Sequence, residues 1–105
     1  MPVRDVRRRY LHVKVSSDGT ITEEPFINAL FDKVHFLYGV TGASEMSLRL
    51  IEWDDAGQAG IVRVHHTMLT EARAAIAHIK EIFESEVRLD ITRVSGTIKT
   101  LKSKL

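Results

Sequence analysis

Arg7-Arg8-Arg9, Arg49, Arg63, the pair His65-His66, and Ser95-Gly96-Thr97 followed by Lys99 and Lys102 are the side chains of this sequence with the most chemistry to offer. Guanidinium and ammonium groups hold phosphate oxygens through charge-assisted hydrogen bonds, and backbone amides at a helix start, such as Ser95-Gly96-Thr97, or in a loop at Gly42, suit the same oxygens. A different chemistry, metal-dependent hydrolysis, would draw on His12, Asp54-Asp55, His65-His66 and Glu71. The spacing does not favour it. Adjacent residues on a strand point to opposite faces, so His65 and His66 share an ion only across a bulge, and no HExxH pair occurs. His35 and His78 fall in helical stretches and read as surface residues. With no cysteine there is no thiol nucleophile, Cys-based zinc site or disulfide. Neither a catalytic residue nor a metal site is expected in the chain.

The elements that position these groups follow from hydrophobic period. The chain of 105 residues, 44% of them apolar, is expected to form one domain over 1–105. It shows no apolar signal core and no run of about 18 apolar residues, so a cytoplasmic protein with no membrane partner is expected. Tyr10 to Val15 alternates as a half-buried strand. Thr22, Glu23, Glu24 and Pro25 open a helix carrying Phe26, Ile27, Leu30, Phe31, Val34, Leu37 and Tyr38, with Gly39 as its C-terminal cap. After a loop to about Glu45, Met46–Trp53 and Ile61–His66 read as a hairpin closed by the 54–60 loop. A second helix from Thr67 or Thr70 to about Phe83 carries Leu69, Ala72, Ile76, Ile79 and Phe83 on one stripe. Val87–Thr92 is a fourth strand, and Ser95-Gly96-Thr97 opens a short helix with Ile98, Leu101 and Leu105 aligned.

Strand, helix, strand, strand, helix, strand is the α+β, ferredoxin-like (RRM-like) split βαβ pattern. It predicts a four-stranded antiparallel sheet in the order 4-1-3-2 with two main helices on one face. Leu11, Val13, Val15, Leu48, Leu50, Val62, Val64, Leu89 and Ile91 then face the helices. Tyr10, His12, Arg49, Ile51, Trp53, Arg63, His65 and Thr92 take the other face. An RRM-like mode of binding single-stranded RNA needs aromatic rings on the two central strands, and Tyr10, His12, Ile61, Arg63 and His65 largely lack them. Ile51 and Trp53 on that face call for a cover, either the terminal helix or a docked protein. The four Phe are expected mostly in the core, with Phe36 off the main stripe.

The formal net charge of +1 conceals a segregation: residues 1–15 carry +4, residues 16–92 carry −7 and residues 93–105 carry +4. In the split βαβ topology the first strand starts and the fourth ends at one edge of the sheet. Arg7–Arg9, the loop from Gly39, His65-His66 and Ser95–Lys99 therefore meet there, and two distant basic ends become one patch suited to nucleic acid. Phosphate contacts are expected first from Arg7, Arg8, Arg9, Lys99 and Lys102, then from Arg49, Arg63 and His65; Gly96 reads most simply as a turn, the alternative being that Gly42 and Gly96 admit close approach of an RNA backbone.

Arg8-Arg9-Tyr10-Leu11, Tyr38-Gly39 followed by Gly42 to Ile51, Gly60 to His66, and Val94 to Lys99 together resemble archaeal ribonuclease P protein component 2, of the small ribonuclease P/MRP subunit family. The resemblance runs from about residue 7 to residue 100. It implies a ferredoxin-like fold with extra helices and a subunit that assists a catalytic RNA in removing the 5′ leader of precursor tRNA. It further implies that the magnesium ions belong to the RNA, and that the partners are that RNA, ribonuclease P protein component 3 and other ribonuclease P proteins. Two copies of this subunit would self-associate within a heterotetramer. The reading that competes with it is a small ligand-binding or regulatory domain that dimerises through its sheet, and a stand-alone metal-dependent nuclease is more remote.

Overall fold

The computed structural model describes residues 7–103, so Arg4, Lys104 and Leu105, used in the charge and periodicity readings above, lie outside it. Five strands, β1 (Arg8–Ser17), β2 (Arg49–Asp54), β3 (Ala59–His65), β4 (Glu81–Ile82) and β5 (Ser85–Ser95), form one antiparallel sheet in the order β2-β3-β1-β5-β4. The four expected strands keep their expected order. The count of four is corrected by β4, a two-residue strand that extends the edge beside β5.

Two helices, α1 (Glu23–Met46) and α2 (Leu69–His78), pack together on one face, over Leu11, Val13, Val15, Val62 and Val64 from the sheet. A third, α3 (Ile98–Ser103), packs on β1 and β5. Among the described residues no helix is long and apolar enough to cross a membrane.

The expected loop from Gly39 to Glu45 is helix instead. Gly39 adopts φ 70° and ψ −174°, a conformation almost confined to glycine, so it kinks α1 and the helix resumes to Met46, which is fully buried. Gly42 lies in this second part, where a Cβ would stand 2.5 Å from the Tyr38 Cβ. Its lack of a side chain is thus explained by helix packing, and no loop amide is presented there. Ser47, at φ 52°, closes the helix with its amide on the Ala43 carbonyl at 3.2 Å.

The second helix stops at His78, short of Phe83. Ile79 turns extended, and a two-residue turn of Phe83 (φ 51°) and Glu84 (φ 68°) joins β4 to β5. Positive φ at both positions is the geometry of a type I′ hairpin, which twists with its strands and normally selects Asn-Gly. Phe83 is therefore 86% exposed; on α1, Phe36 is 80% exposed and Phe31 is also exposed, and only Phe26 of the four joins the core.

Two bulges change which side chains face which way. In β2 the register shifts between Leu50 and Glu52, leaving Ile51 out of step, and Trp53 turns to the helix face, where its ring lies 4.6 Å from that of Phe26. The expectation that Trp53 sits on the open face is thus corrected. In β5 the pairing steps from His12↔Arg93 to Val13↔Ile91, so Thr92 is the extra residue. Arg93, which strict alternation would aim at the core beside Leu89 and Ile91, is rotated onto the open face, and Val94 takes the core position.

Candidate nucleic-acid interface

The open face is ordered in cross-strand rows, because residues paired across an antiparallel ladder share a face. At one end Arg8 opposes His65. The next row is Arg49, Arg63, Tyr10 and Ser95, running from β2 across β3 and β1 to β5. The row after that is Glu52, Ile61, His12 and Arg93. Then come Asp54, Ala59, Lys14 and Asp90. Cations gather at the end where β1 starts and β3 and β5 finish, and acids lie toward the other end.

This arrangement is costly for the free protein. Arg49 and Arg63 sit directly opposite each other, a like-charge pairing that destabilises by a few tenths to about 1 kcal/mol. Among the described residues no carboxylate lies within ion-pairing reach of Arg8, Arg49, Arg63 or Arg93. The Nε–H groups of Arg63 and Arg93 are buried without any acceptor, each worth roughly 1–3 kcal/mol of lost solvation. At the acidic end, by contrast, Arg88 Nε is 3.3 Å from Asp90 Oδ1.

The other expected contact residues divide between this end and elsewhere. The Arg7 carbonyl accepts from the His66 amide at 3.1 Å, which carries the β1–β3 pairing one step further and seats Arg7 at the patch. Arg9 has the core-side register, opposite Val64; its Nη1 donates to the Arg8 carbonyl at 3.0 Å and lies beside Gly96, 3.7 Å from where a Cβ would be. Adjacent Arg8 and Arg9 thus present charge on both sides of the sheet end. His66 leaves the strand for a 3₁₀ turn (His66–Met68), so the two imidazoles do not diverge but stack at 4.8 Å. His65 Nδ1 caps that turn, accepting from the Thr67 amide at 3.3 Å.

Ser95 Oγ accepts from the Thr97 amide at 3.4 Å, and Thr97 Oγ1 accepts from the Thr100 amide at 3.1 Å as the N-cap of α3. These two amides are already satisfied, which removes them as donors to an anion. Lys99 is exposed in the first turn of α3. Lys102 is carried away from the patch: α3 folds back across the open face, Leu101 is fully buried, and Lys102 Nζ lies 2.7 Å from Glu52 Oε1. The terminal helix thus covers part of this face.

His12, beneath this layer and hydrogen-bonded through Nδ1 to Thr92 Oγ1 at 2.6 Å, has its pKa lowered, mainly by burial and then by Lys14, with Asp54 opposing. Arg93 escaped the sequence reading because of the Thr92 bulge. The signal was present: core residues Ile91 and Val94 are spaced by three, which no regular strand allows. No three His, Asp or Glu side chains among the described residues are grouped to hold a metal ion.

Fold and site together define a small α+β domain with a cationic sheet end. A family model described as the Rpp14/Pop5 family matches residues 9–105, and the chain belongs to that family. Ribonuclease P protein component 2 of Thermococcus kodakarensis is 31% identical over 98 residues, covering 93% of this chain and 82% of the relative. Its counterpart in Thermococcus gammatolerans is 29% identical over 103 residues, covering 98% and 86%. The backbone also matches a chain in the cryo-EM structure of yeast ribonuclease MRP with a TM-score of 0.71, over 98% of this chain and 94% of that one, at 13% identity.

Proposed function

We infer that this chain is a protein subunit of ribonuclease P, assisting a catalytic RNA in the endonucleolytic removal of the 5′ leader from precursor tRNA. The observation that carries this reading, beside family membership, is the meeting of Arg7–Arg9, Arg49, Arg63 and the Ser95–Lys99 segment at one sheet end. Guanidinium groups at that density suit a polyanion, and phosphate contacts are what position a protein on RNA. The chain contributes binding and orientation, and the magnesium chemistry of phosphodiester cleavage is assigned to the RNA. Its protein partners in this reading are a component 3 protein and other ribonuclease P proteins, with two copies of the chain in a heterotetramer on a split βαβ frame. The competing reading, dimerisation through the open sheet, is disfavoured by α3, which packs on β1 and β5 and interrupts that surface.

Reconstitution tests it. Precursor-tRNA cleavage by the ribonuclease P RNA of the same cells, at low magnesium, is expected to fall when this chain and its component 3 partner are omitted. Unchanged cleavage would overturn the reading. The stand-alone nuclease alternative predicts instead EDTA-sensitive cleavage by the purified chain with no RNA component present.

A further inference from the structure

Arg49, Arg63 and Arg93 come from three different strands, and the positions between them are held by Tyr10 and His12 of β1. From β2 to β5 is three inter-strand steps, roughly 14 Å at about 4.8 Å each. That is too far for one phosphate group to bridge. A ligand that engages all three guanidinium groups must be extended and must carry repeated negative charge.

Several features indicate that these three side chains, on two adjacent rows, are arranged for such a ligand. Arg49 and Arg63 are directly opposed on the same face with no carboxylate in reach, although the chain places Glu52, Asp54 and Asp90 on the same face further along. Arg63 and Arg93 each hold a buried Nε–H that finds no acceptor. Arg93 reaches this face only because Thr92 is bulged. The basic row is continuous, through Arg8 and His65, with the end where the chain termini meet.

We propose that Arg49, Arg63 and Arg93, with Tyr10 between them, form a track on the open sheet face that binds consecutive phosphates of one RNA strand, alongside α3. This rests on the reading of the chain as an RNA-binding subunit and assigns the RNA a path, across the sheet from β2 to β5 and not only along the end of β1. The guanidinium groups recognise the backbone, so the track is insensitive to base sequence. Tyr10 supplies a single ring, enough to stack one base and too little for the two- or three-base platform of an RRM.

The test measures binding of the full chain to the ribonuclease P RNA of the same cells over a range of salt concentrations. Three proteins are compared: the unaltered chain, a track variant (Arg49→Gln, Arg63→Gln, Arg93→Gln) and an end variant (Arg7→Gln, Arg8→Gln, Arg9→Gln). The track variant is expected to bind about tenfold or more weakly near 0.15 M salt. The slope of log K against log salt should flatten by about 2 units, at roughly 0.7 per lost contact to a single strand. Inorganic phosphate, matched for ionic strength, should not displace the RNA. Exposed Arg49→Gln alone, which removes the like-charge opposition, should weaken RNA binding without lowering the melting temperature, and serves if the triple variant folds poorly.

A track variant with unaltered affinity and slope, beside an end variant that loses both, would overturn the track and leave the RNA-binding reading standing. Displacement by inorganic phosphate would replace the track with a single-anion site. Unchanged RNA binding with loss of a protein partner would assign the row to an acidic protein surface and overturn the proposal. If the unaltered chain binds no RNA in any of these assays, the underlying reading itself fails.

Discussion

The two ends of this sheet are built on opposite terms. At the end where β1 starts, cations oppose cations, two guanidinium Nε–H groups are buried without acceptors, and no carboxylate balances Arg8, Arg49, Arg63 or Arg93 among the described residues. At the other end lie Asp18, Glu23, Glu24, Asp54, Asp55 and Glu84, and the notable feature is apolar. There the first half of α1 and the β4–β5 turn line a groove of about 1000 Å³ rimmed by exposed Phe36 and Phe83, with Phe83 in a left-handed conformation. One end departs from good folding practice in its electrostatics, the other in its backbone and exposure. The two departures are separable, so substitutions at one should leave the other unmoved.

The largest expected effect concerns the element that spans the open face. Leu101 is fully buried where α3 meets the sheet, and Leu101→Ala should cost about 2–4 kcal/mol in denaturant unfolding. If RNA binding fell while the apolar end was undisturbed, α3 would be tied to the cationic end alone. Next comes Gly42→Ala, whose new Cβ would meet the Tyr38 Cβ at 2.5 Å; a loss of about 1–3 kcal/mol is expected, with RNA affinity per folded molecule unchanged. A loop at Gly42, as the sequence suggested, would tolerate alanine.

At the far end, replacing Phe83→Asn with Glu84→Gly supplies the residues that a type I′ turn prefers and should raise stability by about 1–2 kcal/mol. The salt dependence of RNA binding should not change. A destabilised variant would mean that Phe83 packs more than its exposure indicates, and an altered RNA slope would merge the two ends into one surface.

The smallest effect is the response to acid. The pKa of His12 is held below its ordinary 6.5 by burial and by Lys14, so the unfolded chain takes up the proton first. Its contribution to stability is full above about pH 6.5 and is lost as pH falls through that value toward the folded one. His12→Gln should therefore flatten the decline of melting temperature between pH 7 and pH 5. Tyr38, whose hydroxyl donates to the Glu71 carbonyl at 2.9 Å, is raised by burial and by the Glu71 charge and acts at the opposite extreme, its contribution lost as pH rises beyond 10.

Much of this molecule was legible in its sequence. Alternation located β1 and β3, helical spacing located α1 and α2, and connectivity alone brought Arg8, His65 and Ser95 to one end. What escaped was decided by single residues that break a period. Gly39 looked like a stop and is a kink, because the helix after it is held by burial of Met46, which no local signal near Gly39 reports. Ile51 and Thr92, each one residue too many, reversed the facing of Trp53 and Arg93. Phe83 looked like the last core residue of a helix, but α2 ends at His78 and the chain turns back at Phe83 to pair β4 with β5. For the candidate site, charge and topology found the end of the sheet, and the bulge at Thr92 hid the guanidinium group that extends it.

The most direct measurement is hydrogen exchange of the full chain, followed by mass spectrometry, with and without the ribonuclease P RNA of the same cells. Added RNA is predicted to slow exchange around Ser47–Arg49, His66–Met68 and Ser95–Thr97, and to leave Lys80–Glu86 unchanged. Slowed exchange confined to Lys80–Glu86, with the three segments at the cationic end unaffected, would contradict the account.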